Sequence, residues 1–321
     1  MKKITALLLA LLMLAGVLAG CGKQNDTNKT DKLSIVTTIF PEYDWVREIL
    51  GDKADSAEIT MLLDNGVDLH SYQPTADDLI KISDCDLFVY VGGESDDWVE
   101  GALKSAANKD RKVINLLEVL GDSVKEEETV EGMQEEEEDH GEKEYDEHVW
   151  LSLKNAKTLV GAISAALQEI DPDNKDTYAA NADAYGQKLS ALDGEYQAAV
   201  SAGTYKTLLF GDRFPFRYLV DDYGLSYYAA FAGCSAESEA SFETVSFLAG
   251  KVDEGKLPCV LTIEGTQHKI AETVVQNTAG KNQKILTMDS MQSTTSQDVA
   301  RGTTYLSLME KNLDVLKEAL G

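Results

Sequence analysis

The chain has 321 residues, with 29 Lys and Arg against 56 Asp and Glu, for a formal charge of −27 at pH 7. A surface this acidic repels nucleic acid and anionic lipid headgroups and draws cations, which excludes nucleic acid as a partner. The length allows one large domain or two ordinary ones.

The first elements in chain order are those of an export signal. Lys2 and Lys3 precede an apolar run over residues 6–18, and the small residues Ala19 and Gly20 lead into Cys21. That order predicts a secretory signal over residues 1–20. Leu18-Ala19-Gly20-Cys21 resembles the bacterial lipobox, which implies acylation of the Cys21 thiol and attachment to a lipid bilayer. Residues 21–32 are polar and suit a membrane-proximal tether. No later stretch is apolar enough over sufficient length to span a bilayer.

Past the tether, β-branched runs alternate with amphipathic stretches. Residues 33–39, 57–63, 87–92 and 112–116 predict strands; residues 42–50, 75–83, 96–107 and 155–170 predict helices. The alternation predicts a parallel sheet covered on both faces. The pattern recurs with strands at 207–211, 225–231, 259–264 and 284–289, and helices at 216–223, 242–254, 269–278 and 303–320. The expected fold class is α/β: two lobes, each a four-stranded parallel sheet flanked by helices, joined by one long connecting helix. The lobes are assigned to residues 33–171 and 203–321.

Residues 172–202 predict that connecting helix. Pro172 suits a first helical turn. Tyr178, Ala182, Tyr185, Leu189, Leu192, Tyr196 and Val200 step by threes and fours. One insertion breaks the alternation. Residues 126–147 carry thirteen acidic side chains and a single lysine, Lys143. Such a block is expected to be disordered, either as a solvated loop or as a weak cation-gathering one.

The histidines number four: His70, His140, His148 and His268. His70 follows a predicted strand, and ligands of open parallel sheets bind beyond strand carboxyl ends. His148 stands where the acidic insertion gives way to structure. Together they form a candidate metal pair. His140 sits within the acidic run, and His268 reads as the solvated start of a helix. Beside it, Glu264 offers a strand-end carboxylate, and Glu237 and Glu239 are spare carboxylates of the later lobe. Cys85 reads as a small core residue.

Val67-Asp68-Leu69-His70-Ser71-Tyr72-Gln73-Pro74-Thr75 resembles the first histidine motif of the zinc- and manganese-uptake solute-binding lipoproteins of ABC importers. His148-Val149-Trp150-Leu151-Ser152 resembles the second. Residues 171–185 resemble the start of that family's connecting helix, and Ile82-Ser83-Asp84 with residues 87–93 and Trp98 also match. The resemblance spans the chain beyond the tether. It implies two α/β lobes with one metal site in the cleft between them, and delivery to a permease with its ATPase. The implied cargo is Zn2+, with Mn2+ open: two imidazoles favour zinc, and carboxylates beside them suit manganese. A monomer on the extracytoplasmic face of the cell membrane is expected.

The chain departs from the family at the third ligand. Five residues before Tyr218 the family carries His or Glu, and here Arg213 stands there. An arginine stays protonated and cannot ligate. The neighbouring Asp212 could present its carboxylate from the turn after the strand, or instead cap the next helix or pair with Arg213 or Arg217. The fourth family ligand, an Asp after the last strand, matches Asp289. The family's strand order also separates Cys234 from Cys259, placing them on opposite sheet edges and too far apart for a disulfide.

No HExxH, GxSxG, P-loop or GxGxxG pattern occurs in the sequence. A secreted metallohydrolase would need an open coordination position and a general base, and no dedicated base is evident. A binding protein is therefore expected in preference to an enzyme or a purely adhesive lipoprotein.

Overall fold

Both halves of the chain build the same unit, a parallel sheet with helices on its two faces. A computed structural model describes residues 32–104, 106–134, 144–235, 239–265 and 268–321. The signal segment, Cys21, nearly all of the tether, His140 and Glu237 lie outside the described residues.

The first lobe runs through β1 (Ser34–Thr37), α1 (Phe40–Leu50), β2 (Glu58–Met61), α2 (Ala76–Asp84), β3 (Leu87–Tyr90), α3 (Trp98–Lys104), β4 (Lys112–Asn115), α4 (Leu116–Leu120) and α5 (Leu153–Ile170). After α6 (Lys175–Ala202) the second lobe takes up β5 (Thr207–Phe214), α7 (Arg217–Tyr223), β6 (Ser226–Ala232), α8 (Phe242–Gly255), β7 (Cys259–Ile263), α9 (Lys269–Asn277), β8 (Lys284–Met288), α10 (Ser296–Ala300) and α11 (Tyr305–Leu320). The sheets are parallel, with orders β2-β1-β3-β4 and β6-β5-β7-β8. This is the expected fold class. In both sheets the chain reverses its direction of travel after the second strand, which opens a crevice beyond the strand carboxyl ends.

Local chemistry sets the elements. β7 is buried along its whole length, as a strand covered on both faces requires. Thr75 and Asp78 form a capping box at the start of α2. The Glu42 carboxylate accepts the N–H groups of Thr38 (2.8 Å) and Ile39 (3.2 Å) ahead of α1. The short helices α4 and α10, five residues each, are too brief to show a helical period in the sequence pattern. α6 has 28 residues, roughly 42 Å of helix. It packs on α1 and α5 of one lobe and on α11 of the other, burying Tyr178, Tyr185, Leu189, Leu192, Tyr196 and Val200.

Three expectations need correction. β5 continues to Phe214, with its register shifting between Phe210 and Arg213. Asp212 therefore sits within a bulged strand and not in a turn after it, because Arg213 and Phe214 pair onward with Phe231 and Ala232. Cys259 opens an inner strand, not an edge strand; Cys85, Cys234 and Cys259 are all free thiols.

The third correction concerns the acidic insertion. Its described start is docked on the second lobe: Gln134 N–H donates to Ala230 O (3.0 Å), Gln134 Oε1 accepts Ser241 N–H (2.8 Å), and Met133 is buried. Gly132 adopts φ +85° with the Phe247 ring lying where a Cβ would stand. The edge of β6 offers free backbone groups, and this arm satisfies one of them, the Ala230 carbonyl.

The seam between the lobes is braced by polar contacts. Trp150 Nε1 donates to Ser290 O (2.9 Å), Tyr305 Oη donates to Trp150 O (2.6 Å), and Tyr305 N–H donates to Asp44 Oδ2 (2.9 Å). Ser34–Gly321 accordingly clusters as a single compact unit.

Candidate metal centre

Two segments of one form, Asp68-Leu69-His70 and Asp146-Glu147-His148, carry imidazoles to the seam. In each, the aspartate Oδ1 accepts the backbone N–H of the histidine two residues on, at 3.1 Å and 2.9 Å. Such Asx turns fix the direction in which the histidine leaves the chain. The two Nε2 atoms lie 3.3 Å apart. The outer nitrogens are taken: His148 Nδ1 lies 3.0 Å from Asp146 Oδ1, and His70 Nδ1 lies 2.8 Å from Ser95 Oγ and 3.5 Å from Glu147 Oε2. A proton on each Nδ1 leaves both Nε2 lone pairs directed at one point. Two nitrogens each about 2.05 Å from a tetrahedral ion stand about 3.3 Å apart, so the spacing suits zinc without rearrangement.

The second lobe brings a thiol to the same point. Among the described residues, His70, His148 and Cys234 form a group whose donor atoms all lie within 4.8 Å of one another. Cys234 follows the carboxyl end of β6. In the sequence alone it stands only as a disulfide candidate. The rule that drew attention to His70, a donor just beyond a strand end, applies equally to Cys234.

The structure does not bring Asp212 and Asp289 into this group. Asp212 spends its carboxylate on backbone donors: Oδ1 accepts Arg213 N–H (2.9 Å) and Oδ2 accepts Ile263 N–H (3.3 Å). Asp289 Oδ1 accepts Met291 N–H (2.8 Å). Glu264 caps the same loop, accepting from Ser290 N–H (2.6 Å) and Gln292 N–H (3.2 Å). Arg213 reaches across the seam instead. Its Nη2 lies 2.6 Å from Asp68 Oδ2, and its Nη1 donates to Ser235 O at 3.2 Å.

The charge balance favours a cation. Burial, and then the neighbouring His148, push the His70 imidazole down to about 3, so it stays neutral. Burial opposes protonation of His148 too, but the Asp146 carboxylate outweighs it and holds that imidazole above its ordinary value. Glu147 is 2 % exposed, and its Oε2 has no hydrogen-bond partner. Burial raises its carboxyl. Gly93, at φ +86°, is packed so closely that a Cβ would stand 2.4 Å from Glu147 Oε1. A cavity of about 740 Å³ opens onto His70, Glu147 and Cys234, with Glu94, Asp97 and Glu127 on its walls.

Parallel α/β lobes on either side of one long helix, with a donor cluster in their seam, are the architecture of a two-lobed solute-binding protein. Residues 35–319 match the family described as zinc-uptake complex component A, periplasmic (ZnuA), and the chain belongs to that family. It is 35% identical over 324 residues to the zinc-binding lipoprotein AdcA of Streptococcus pneumoniae serotype 4, covering 99% of this chain and 61% of that protein. The chain thus spans about three-fifths of that relative's length. It is 32% identical to the high-affinity zinc uptake system protein ZnuA of Bacillus subtilis strain 168, covering 95% of this chain and 94% of that one. The crystal structure of the Zn(II)-bound ZnuA-like domain of S. pneumoniae AdcA superposes with a TM-score of 0.70 at 32% identity, over 90% of this chain and 99% of that one.

Proposed function

We propose that this protein captures a divalent zinc ion outside the cell, in the seam between its lobes, and hands it to the permease of an ABC importer while anchored to the membrane through acylated Cys21. It works as a carrier and not as an enzyme. His70 and His148 are the first two ligands. The observation that carries this reading is the pair of inward-facing Nε2 atoms 3.3 Å apart, each imidazole held from behind by Ser95 or Asp146. Family membership and relatives named for zinc binding and zinc uptake support the choice of cargo.

Zinc is favoured over manganese because imidazole nitrogens suit zinc, whereas manganese prefers carboxylate, carbonyl and water oxygens. The test is elemental analysis of protein purified without affinity metals, followed by competition between the two ions. One equivalent of zinc, retained against excess manganese, is expected. Protein that takes up neither ion, or prefers manganese, would overturn the reading.

A further inference from the structure

We propose that Cys234 is the third metal donor, so that the second lobe closes the site with a thiolate where the family would use an imidazole or a carboxylate. This rests on the zinc-capture reading above and names the donor that completes it.

The geometry narrows the choice. The Cys234 Sγ already lies within 4.8 Å of the donor nitrogens of both histidines. A tetrahedral zinc with Zn–S near 2.3 Å and Zn–N near 2.05 Å holds sulfur and nitrogen about 3.6 Å apart, so the thiol needs to travel on the order of 1 Å. Its loop is placed for that. Gly233 packs on the His148 ring, where a Cβ would stand 3.0 Å from Cε1 and 2.9 Å from Phe214 O. The Cys234 N–H donates to Glu127 Oε1 at 3.1 Å. The next carbonyl, Ser235 O, is held by Arg213, whose other end grips Asp68 beside His70. Arg213 thus acts as a strut between the two donor loops, and its guanidinium leaves the ligand position to another residue.

A second observation points to an ion at this place. The Glu147 Oε2 atom is buried with no hydrogen-bond partner, 3.5 Å from His70 Nδ1. A buried carboxylate oxygen is costly unless a positive charge lies near. Arg213 is engaged by Asp68, and a divalent ion on the histidines would place positive charge beside this oxygen. Cysteine binds as the thiolate: the Zn–S bond forms as the S–H bond breaks, and the proton passes to solvent. Sulfur also shifts the site toward thiophilic d10 ions and away from manganese.

The test compares full-length wild type with Cys234→Ser, titrated with Zn2+ and, as a spectroscopic probe, Cd2+. Wild type is expected to bind one ion with a thiolate-to-cadmium charge-transfer band, and to lose alkylation of Cys234 in a peptide map once zinc is added. Cys234→Ser is expected to lack the band and to bind zinc more than about 100-fold more weakly, since loss of even an outer partner costs 10- to 100-fold. Tight one-to-one zinc binding by wild type with no band and an alkylatable Cys234 would overturn the thiolate donor while leaving zinc capture standing. Failure of wild type to bind zinc would instead overturn the capture reading. Should the variant fold poorly by circular dichroism, the wild-type band and alkylation protection decide alone.

Discussion

The two lobes equip the seam in different ways. The first lobe uses a local device twice: an aspartate turns the chain and a histidine two residues later points inward, at Asp68 and His70 and again at Asp146 and His148. The second lobe uses parts distant in sequence: a thiol beyond β6, an arginine in the bulge of β5, and carboxylates that satisfy their own backbone. The first edge is therefore preorganised, because each imidazole is fixed by a neighbour. The second depends on strand pairing and on Arg213 to bring its donor into range.

Substitutions can break this contrast, beginning with the largest effect. His148→Ala and His70→Ala should each weaken zinc binding by more than about 100-fold, since each removes a direct donor. Competition with a chromophoric chelator measures this, and a loss of only a few-fold in either would place the ion elsewhere. Asp146→Asn should cost about 10- to 100-fold, because it leaves the turn in place but removes the charge behind His148. Arg213→Ala should cost roughly tenfold, the low end for groups one step from the ion. If Arg213→Ala proved worse than Asp146→Asn, the second edge would be the more finely set of the two.

A smaller effect concerns the base of the seam. Asp44 is buried under the start of α11, and burial pushes its carboxyl up to about 7 despite the lowering effect of the Tyr305 N–H. The folded state therefore holds a proton that the unfolded state, titrating near 3.8, gives up. Stability is therefore fullest below the unfolded value and is lost as pH rises from there through about 7. Asp44→Asn keeps an acceptor for Tyr305 and has nothing to titrate. Its melting temperature relative to wild type, measured with chelator present, should climb between pH 5 and pH 8. A constant difference would show that Asp44 does not titrate in this way.

Much of the fold could be read from sequence. Short β-branched runs and a helical step of threes and fours over residues 172–202 are strong periodic signals. The two histidines are legible because each lies in a short local segment, two residues after the aspartate that turns the chain, whereas the Ser95 support of His70 comes from 25 residues away and is not. The second edge was obscure because a bulge moves it. An expected end to β5 at residue 211 placed Asp212 in a turn, whereas pairing of Arg213 with Phe231 keeps it in the strand and against Ile263. Docking of residues 126–134 was hidden by composition, since acidic residues mask the few contacts of Met133 and Gln134.

The most direct test of a site shared between the lobes is X-ray absorption at the zinc K-edge on the loaded protein. One sulfur at about 2.3 Å, together with two imidazole nitrogens at about 2.0 Å, is expected, with the sulfur lost in Cys234→Ser. A shell of nitrogen and oxygen alone, unchanged by that substitution, would contradict closure of the site by the second lobe's thiol.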